Sequence, residues 1–220
     1  MSTDVTRDNL YSPNQFPVVS DEIEIAASQT LPRGRLIGKQ ILDDEIIITP
    51  TGFTPASTPA AALDTVILAK VGTYTATCVA VISTTNGIFQ LVDPDGIVVG
   101  LFYTGVAFNG GGLSFTMPAA SDAYEVGDTY EFAVAVGDGY GYSLDTANGD
   151  GTNKIFGVLL RSSTTDVGET DICPVAKTGR FMSQALTAAS GVTITDLIDA
   201  LEEKNIYLDL SDADNDLIGG

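Results

Sequence analysis

The sequence predicts a mainly β protein, a β-rich α+β chain in two parts. A small discontinuous β domain with one C-terminal helix is interrupted by an inserted β-sandwich or barrel-like module. Three observations predict this class. Runs of alternating polarity recur between residues 71 and 136, turn-forming residues separate those runs, and helical spacing occurs once, near the C-terminus.

The inserted module, residues 70–137, is the most regular stretch. Tyr74, Ala76, Cys78 and Ala80 alternate with Thr73, Thr75 and Thr77; Phe89 and Leu91 alternate with Ile88 and Gln90. Leu113, Phe115 and Met117 alternate with Ser114 and Thr116, and Tyr130, Phe132, Val134 and Val136 with Glu131, Ala133 and Ala135. A period of two sends one set of side chains to a core and the other to water. Asn86-Gly87, Asp93-Pro94-Asp95-Gly96, Asn109 to Gly112 and Gly127-Asp128 punctuate the runs. Proline presets φ and glycine supplies positive φ, so the flanking strands fold back on themselves.

The remaining halves, residues 21–69 and 138–208, form the discontinuous core domain. Ahead of them, residues 1–20 are an extended N-terminal arm: Pro13 and Pro17 exclude a helix, while Leu10, Tyr11, Phe16, Val18 and Val19 are apolar anchors. Such an arm either frays or orders on a partner. Ile23 to Ile41 is strand-like with glycines interleaved, Ile46-Ile47-Ile48 reads as a short buried strand, residues 49–62 as an irregular loop, and Val66 to Ala69 as a resumed strand. After the module, Ile155 to Leu160 and Ile172 to Lys177 are strands. Thr193 and Asp196 open the helix as a capping box, Leu197, Ile198 and Leu201 form its apolar face, Asn205 stops it, and Ile206 to Leu208 is a last strand. Residues 209–220 are an acidic tail.

Composition narrows the chemistry. The net charge of −19 opposes sequence-independent nucleic-acid binding, which needs clustered Lys and Arg against phosphates. No apolar run is long enough to span a bilayer, and the start lacks the apolar stretch of a signal peptide, so no membrane partner is expected and synthesis is assigned to a cytoplasm. Histidine is absent, which removes the commonest general base and zinc ligand. Gly112-Leu-Ser114-Phe-Thr116 lacks the second glycine of a nucleophile elbow, and Asp93 with Asp95 reads as turn chemistry. Asp145, Asn148, Asp150 and Asn153 mimic a calcium loop, as do Asp212, Asp214 and Asp216, but neither has the closing bidentate Glu. No catalytic residue, metal or cofactor is therefore expected. Cys78 and Cys173 read as two buried thiols. Arg33 and Arg35 are too few for a basic patch and read as partners of an acidic neighbour, internal or across a subunit boundary.

Phe16-Pro-Val-Val, Ile23-Glu-Ile, Gln29-Thr-Leu31 and Arg33-Gly34-Arg-Leu-Ile-Gly38 resemble the opening of tailed-bacteriophage head decoration proteins, the lambda D-like family. Lys154-Ile-Phe-Gly157-Val-Leu-Leu, Cys173-Pro-Val-Ala and Gly179-Arg-Phe, ahead of the helix at 193–204, are similar to later stretches of that family. Gly72-Thr-Tyr-Thr, Asp93-Pro-Asp-Gly and Gly110-Gly-Gly-Leu-Ser-Phe are similar to a module inserted in its longer members. The resemblance spans residues 14–208; the acidic tail and the insert depart from short members. It implies a structural protein that is not an enzyme, a homotrimer seated on the major capsid protein at three-fold and quasi-three-fold sites of the outer phage head. The arm would contact the shell, with Tyr11, Phe16, Val18, Val19, Arg33 and Arg35 as expected capsid-binding residues, and the insert facing solvent. The alternative is a virion-surface binding module whose insert attaches to host glycans or another surface protein, for which Tyr103 and Phe108 are the candidate aromatic platform.

Overall fold

The computed structural model describes residues 10–11, 17–57, 59–188 and 191–209. The first strands are β1 (Ser20–Ile25), β2 (Thr30–Leu31) and β3 (Leu36–Lys39). Next come β4 (Leu42–Thr51), β5 (Ala61–Leu63), β6 (Gly72–Ser83), β7 (Asn86–Val92) and β8 (Val98–Tyr103). These are followed by β9 (Ala107–Gly110), β10 (Leu113–Thr116), β11 (Thr129–Val136) and β12 (Gly141–Ser143). The chain closes with β13 (Ile155–Leu159), β14 (Ser163–Thr164), β15 (Asp171–Ala176), β16 (Gly179–Met182), the helix α1 (Ile198–Glu202) and β17 (Ile206–Asp209). The fold is mainly β, as the alternation predicts.

Two compact units emerge. One comprises Met1–Lys39, Gly139–Thr146 and Thr152–Gly220; the other comprises Gln40–Asp138 and Ala147–Gly151. The excursion into the second unit therefore opens at Gln40 and not at residue 70. The reason is β4, which pairs antiparallel with β11, Ile46 to Ile48 opposite Val134 to Phe132. The three isoleucines read as one buried run, yet Ile47 is 61% exposed and its neighbours are half-buried, the pattern of an edge strand.

In the first unit, β1, β12, β3, β13 and β15 close into a barrel. Most neighbours are antiparallel, β1 running against β15 from Ser20 opposite Ala176 to Ile25 opposite Asp171. Alternate residues Ile23, Ile25, Ile37, Leu159, Cys173 and Val175 fill one core cluster, and Leu31 joins them. A second cluster gathers Leu10, Leu36, Val158, Phe181, Leu201 and Ile206. Thr193 and Asp196 close the turn that leads into the helix: Asp196 N–H donates to Thr193 Oγ1 at 3.3 Å, and Thr193 N–H to Asp196 Oδ2 at 3.1 Å. It is shorter than the expected 193–204, since residues 195–197 wind as a 3₁₀ turn. Asn205 at φ 58° ends it and its carbonyl accepts from Gly179 N–H. Cys173 is free and buried, as expected.

The second unit is a sandwich. A five-stranded antiparallel sheet, β4-β11-β6-β7-β8, shares its core with a three-stranded sheet, β5-β10-β9. Tyr74, Ala76, Cys78, Phe89, Leu91, Leu113, Phe115, Tyr130 and Phe132 all point inward, as their alternation requires. Aromatic rings dominate: Phe115 stacks on Phe132 at 4.6 Å between centroids and meets Phe102 edge-on at 5.0 Å. The Asp93–Gly96 turn forms as expected, its Asp93 carboxylate accepting from Asp95 and Ile97 N–H at 3.0 and 2.8 Å.

Three local expectations fail here. A register shift in β11 between Val134 and Val136 turns Val136 outward, 67% exposed, because a bulge breaks the period of two. The β6–β7 turn lies at residues 84–85, so Asn86 and Gly87 already belong to β7. Residues 66–69 are not a strand: Asp64 Oδ1 accepts from Val66 and Ile67 N–H at 2.6 and 3.0 Å, and this side-chain turn replaces a ladder.

Candidate functional site

The expected capsid-binding residues that are described fall in the barrel unit, and the described part of the arm runs beside residues 177–182. Met182 N–H donates to the Leu10 carbonyl at 3.1 Å, Tyr11 bridges Phe181, and Lys177 N–H donates to the Val19 carbonyl at 2.8 Å. Leu10 is buried in the unit's own core, and the Tyr11 ring lies 5.5 Å from that of Phe181. Tyr11 thus packs within the chain. Val18 and Val19 keep 40% and 56% of their surface exposed. Phe16 lies outside the described residues.

Arg33 and Arg35 flank a turn that only glycine can make. Gly34 has φ +84°, and a Cβ there would sit 2.1 Å from the Ala185 carbonyl oxygen. Arg33 is exposed and its Nε donates to the Leu160 carbonyl at 3.0 Å. Arg35 is half-buried and donates from Nη1 to the Ala188 carbonyl, while its Nε is buried with no partner. Each guanidinium group thus donates to a backbone carbonyl.

Sequence reasoning missed a cationic cluster at one end of the barrel. Lys177 Nζ stands 3.1 Å from the centre of the Phe156 ring, and Lys39 Nζ lies 5.8 Å from the same ring. Burial holds the Lys177 ammonium below its ordinary pKa; Asp21 opposes that, and the charges of Lys204 and Lys39 add to it. These residues are far apart in sequence, and only Lys39 sits in a stretch that reads as basic.

A second cluster is structural. Arg161 grips Asp171 with two bonds, Nη1 to Oδ2 at 2.9 Å and Nη2 to Oδ1 at 2.6 Å. Ser163 Oγ and Cys173 Sγ also donate to Asp171 Oδ2, at 2.8 and 3.3 Å. The Arg161 bond, then the Ser163 bond, hold the Asp171 carboxyl far below its usual range. Burial pushes the Cys173 thiol up, which favours the protonated form that donates to Asp171. Asp93 and Asp95 both bind Lys70, at 2.5 and 2.6 Å, which accounts for that carboxylate pair within its turn.

Of the aromatic pair in the second unit, Tyr103 is 49% exposed, but Phe108 packs against Phe102 and Phe115 at 5.2 and 5.3 Å. The pair does not form a platform. Ser114 lies on β10 with its side chain away from the core-facing Leu113 and Phe115. No group of three acidic or Cys side chains placed to hold a metal occurs among the described residues. Asp212, Asp214 and Asp216 lie outside them. No described helix is long and apolar enough to cross a membrane.

No family model matches the chain, and no curated protein matches it. Among solved structures, the crystal structure of FlgL from Xanthomonas campestris is similar with a TM-score of 0.31 and 17% identity, over 48% of this chain and 34% of that one. The overlap spans about a third of FlgL, and a likeness this slight carries no argument about fold or function.

Proposed function

We propose that the protein is a capsid decoration protein, a cement that seats on the outer surface of a phage head, as homotrimers, against the major capsid protein. One observation carries the reading. The stretches that resemble the lambda D-like family, Arg33–Gly38, Lys154–Leu160, Cys173–Ala176 and Gly179–Phe181, are distant in sequence yet belong to one barrel unit. The inserted sandwich is a separate unit with its own core, which suits a graft onto a small domain. Among the described contact residues, Val18, Val19 and Arg33 are exposed. Identical copies on a symmetric trimer would engage a three-fold site together, each after the first at high effective concentration. Binding to the expanded shell alone would stabilise that state by mass action.

The test adds purified protein to undecorated, expanded shells and measures co-sedimentation and shell survival on heating. Saturable binding in multiples of three per site, with a raised shell melting temperature, is the expected result. Monomeric protein that leaves the shells bare overturns the reading.

A further inference from the structure

We propose that the barrel end carrying Lys39, Lys177 and Lys204 around Phe156 is a docking surface for an acidic protein patch with an apolar centre. That this patch belongs to the capsid shell rests on the decoration reading; the chemistry of the surface does not.

Strand direction assembles the site. β1 begins, β3 ends, β13 begins and β15 ends at the same end of the barrel, as the antiparallel registers Ser20 opposite Ala176, Gly38 opposite Ile155 and Val158 opposite Ala176 require. Lys39 closes β3, Phe156 is the second residue of β13, and Lys177 follows β15. Lys204 arrives from behind α1, beside Asn205, whose carbonyl accepts from Gly179 N–H. Val18 and Val19 lie along the same edge, exposed and tied to Lys177 and Thr178.

The energetics point to a partner. The chain has ten basic residues against a net charge of −19, and three of the ten converge here. Asp21 offsets part of the repulsion among these lysines, and an incoming carboxylate would offset more of it. Apolar Val18, Val19 and half-buried Phe156 within a lysine rim match the usual anatomy of a protein interface. A nucleic acid fits less well: three lysines do not track a phosphate repeat, and the whole-chain field repels a polyanion.

The experiment titrates full-length protein against a fluorescein-labelled octaglutamate peptide and, separately, an oligothymidylate, following anisotropy at low and high salt. Wild type should bind the peptide in a salt-sensitive manner and prefer it to the oligothymidylate. The double reversal Lys39→Glu/Lys204→Glu should weaken peptide binding by about tenfold or more, since each exposed pair contributes little but both change sign. Lys39 and Lys204 are exposed, so the variant should melt as wild type does; Lys177→Met, which keeps the packing stem, should lower the salt slope. No peptide binding by wild type, undiminished binding by the double reversal, or equal binding of the oligothymidylate would each overturn the proposal. On shells the two readings separate. Wild type that binds octaglutamate but not shells defeats the decoration reading alone, whereas a double reversal that binds shells as wild type does defeats this one alone.

Discussion

Phe132→Ala should unfold one half of this protein at a lower temperature and leave the other half where it was. Phe132 is fully buried in the sandwich, stacked on Phe115 at 4.6 Å and 6.3 Å from Tyr130. Truncating a buried phenylalanine costs about 3–5 kcal/mol, and rigid aromatic neighbours favour the upper part of that range because they cannot collapse into the void. For a domain of roughly 100 residues each kcal/mol moves Tm by about 4–8 °C, so the sandwich transition should fall by more than about 12 °C. The core that contains Phe132 is built from second-unit residues, from Leu42 to Val134, whereas the barrel has its own two clusters. Differential scanning calorimetry should therefore resolve two transitions in wild type and displace one in the variant. A single cooperative transition that shifts as a whole would refute two independently folded units.

Further outcomes follow from particular contacts. Excising Gln40–Asp138 and joining Lys39 to Gly139 through a short Gly/Ser bridge should leave a folded barrel, because all five barrel strands remain and Lys39 already lies opposite Gly141; circular dichroism and a cooperative melt check it. Gly112→Ala should destabilise the sandwich by about 3 kcal/mol, since φ is +87° and the new methyl would stand 2.3 Å from Ala69 Cα; urea denaturation measures this. Asp171→Asn should lower Tm by several degrees at pH 7 and flatten the acid limb of stability. The wild-type carboxyl is depressed in the fold, so its contribution is present above its unfolded value near about 4 and lost as pH falls through the lower folded one. The two proteins should converge as pH falls through the depressed folded value, and a constant gap across the acid limb would show that the Arg161 pair is not the cause.

Much of the β architecture was legible because it rests on local chemistry. The period of two in Tyr74 to Cys78 and Tyr130 to Val134 places each side chain by geometry alone, and the Asp93 turn and Thr193–Asp196 cap are closed by residues a few positions apart. Where alternation stopped being informative, the reading slipped. Three consecutive isoleucines hid an edge strand, and the bulge that turns Val136 outward leaves no mark in the residues around it.

By itself, the sequence determined the fold class, the two buried thiols and the C-terminal position of the helix. Each follows from burial patterns or capping within a few residues. Only the tertiary structure decided that β4 belongs with β11, that Tyr11 is spent on Phe181, and that Lys39 and Lys177 share the Phe156 ring. Those facts depend on which strand ends meet across a closed barrel or a sheet. Register and closure are set by packing of the whole unit, to which no local window of residues has access.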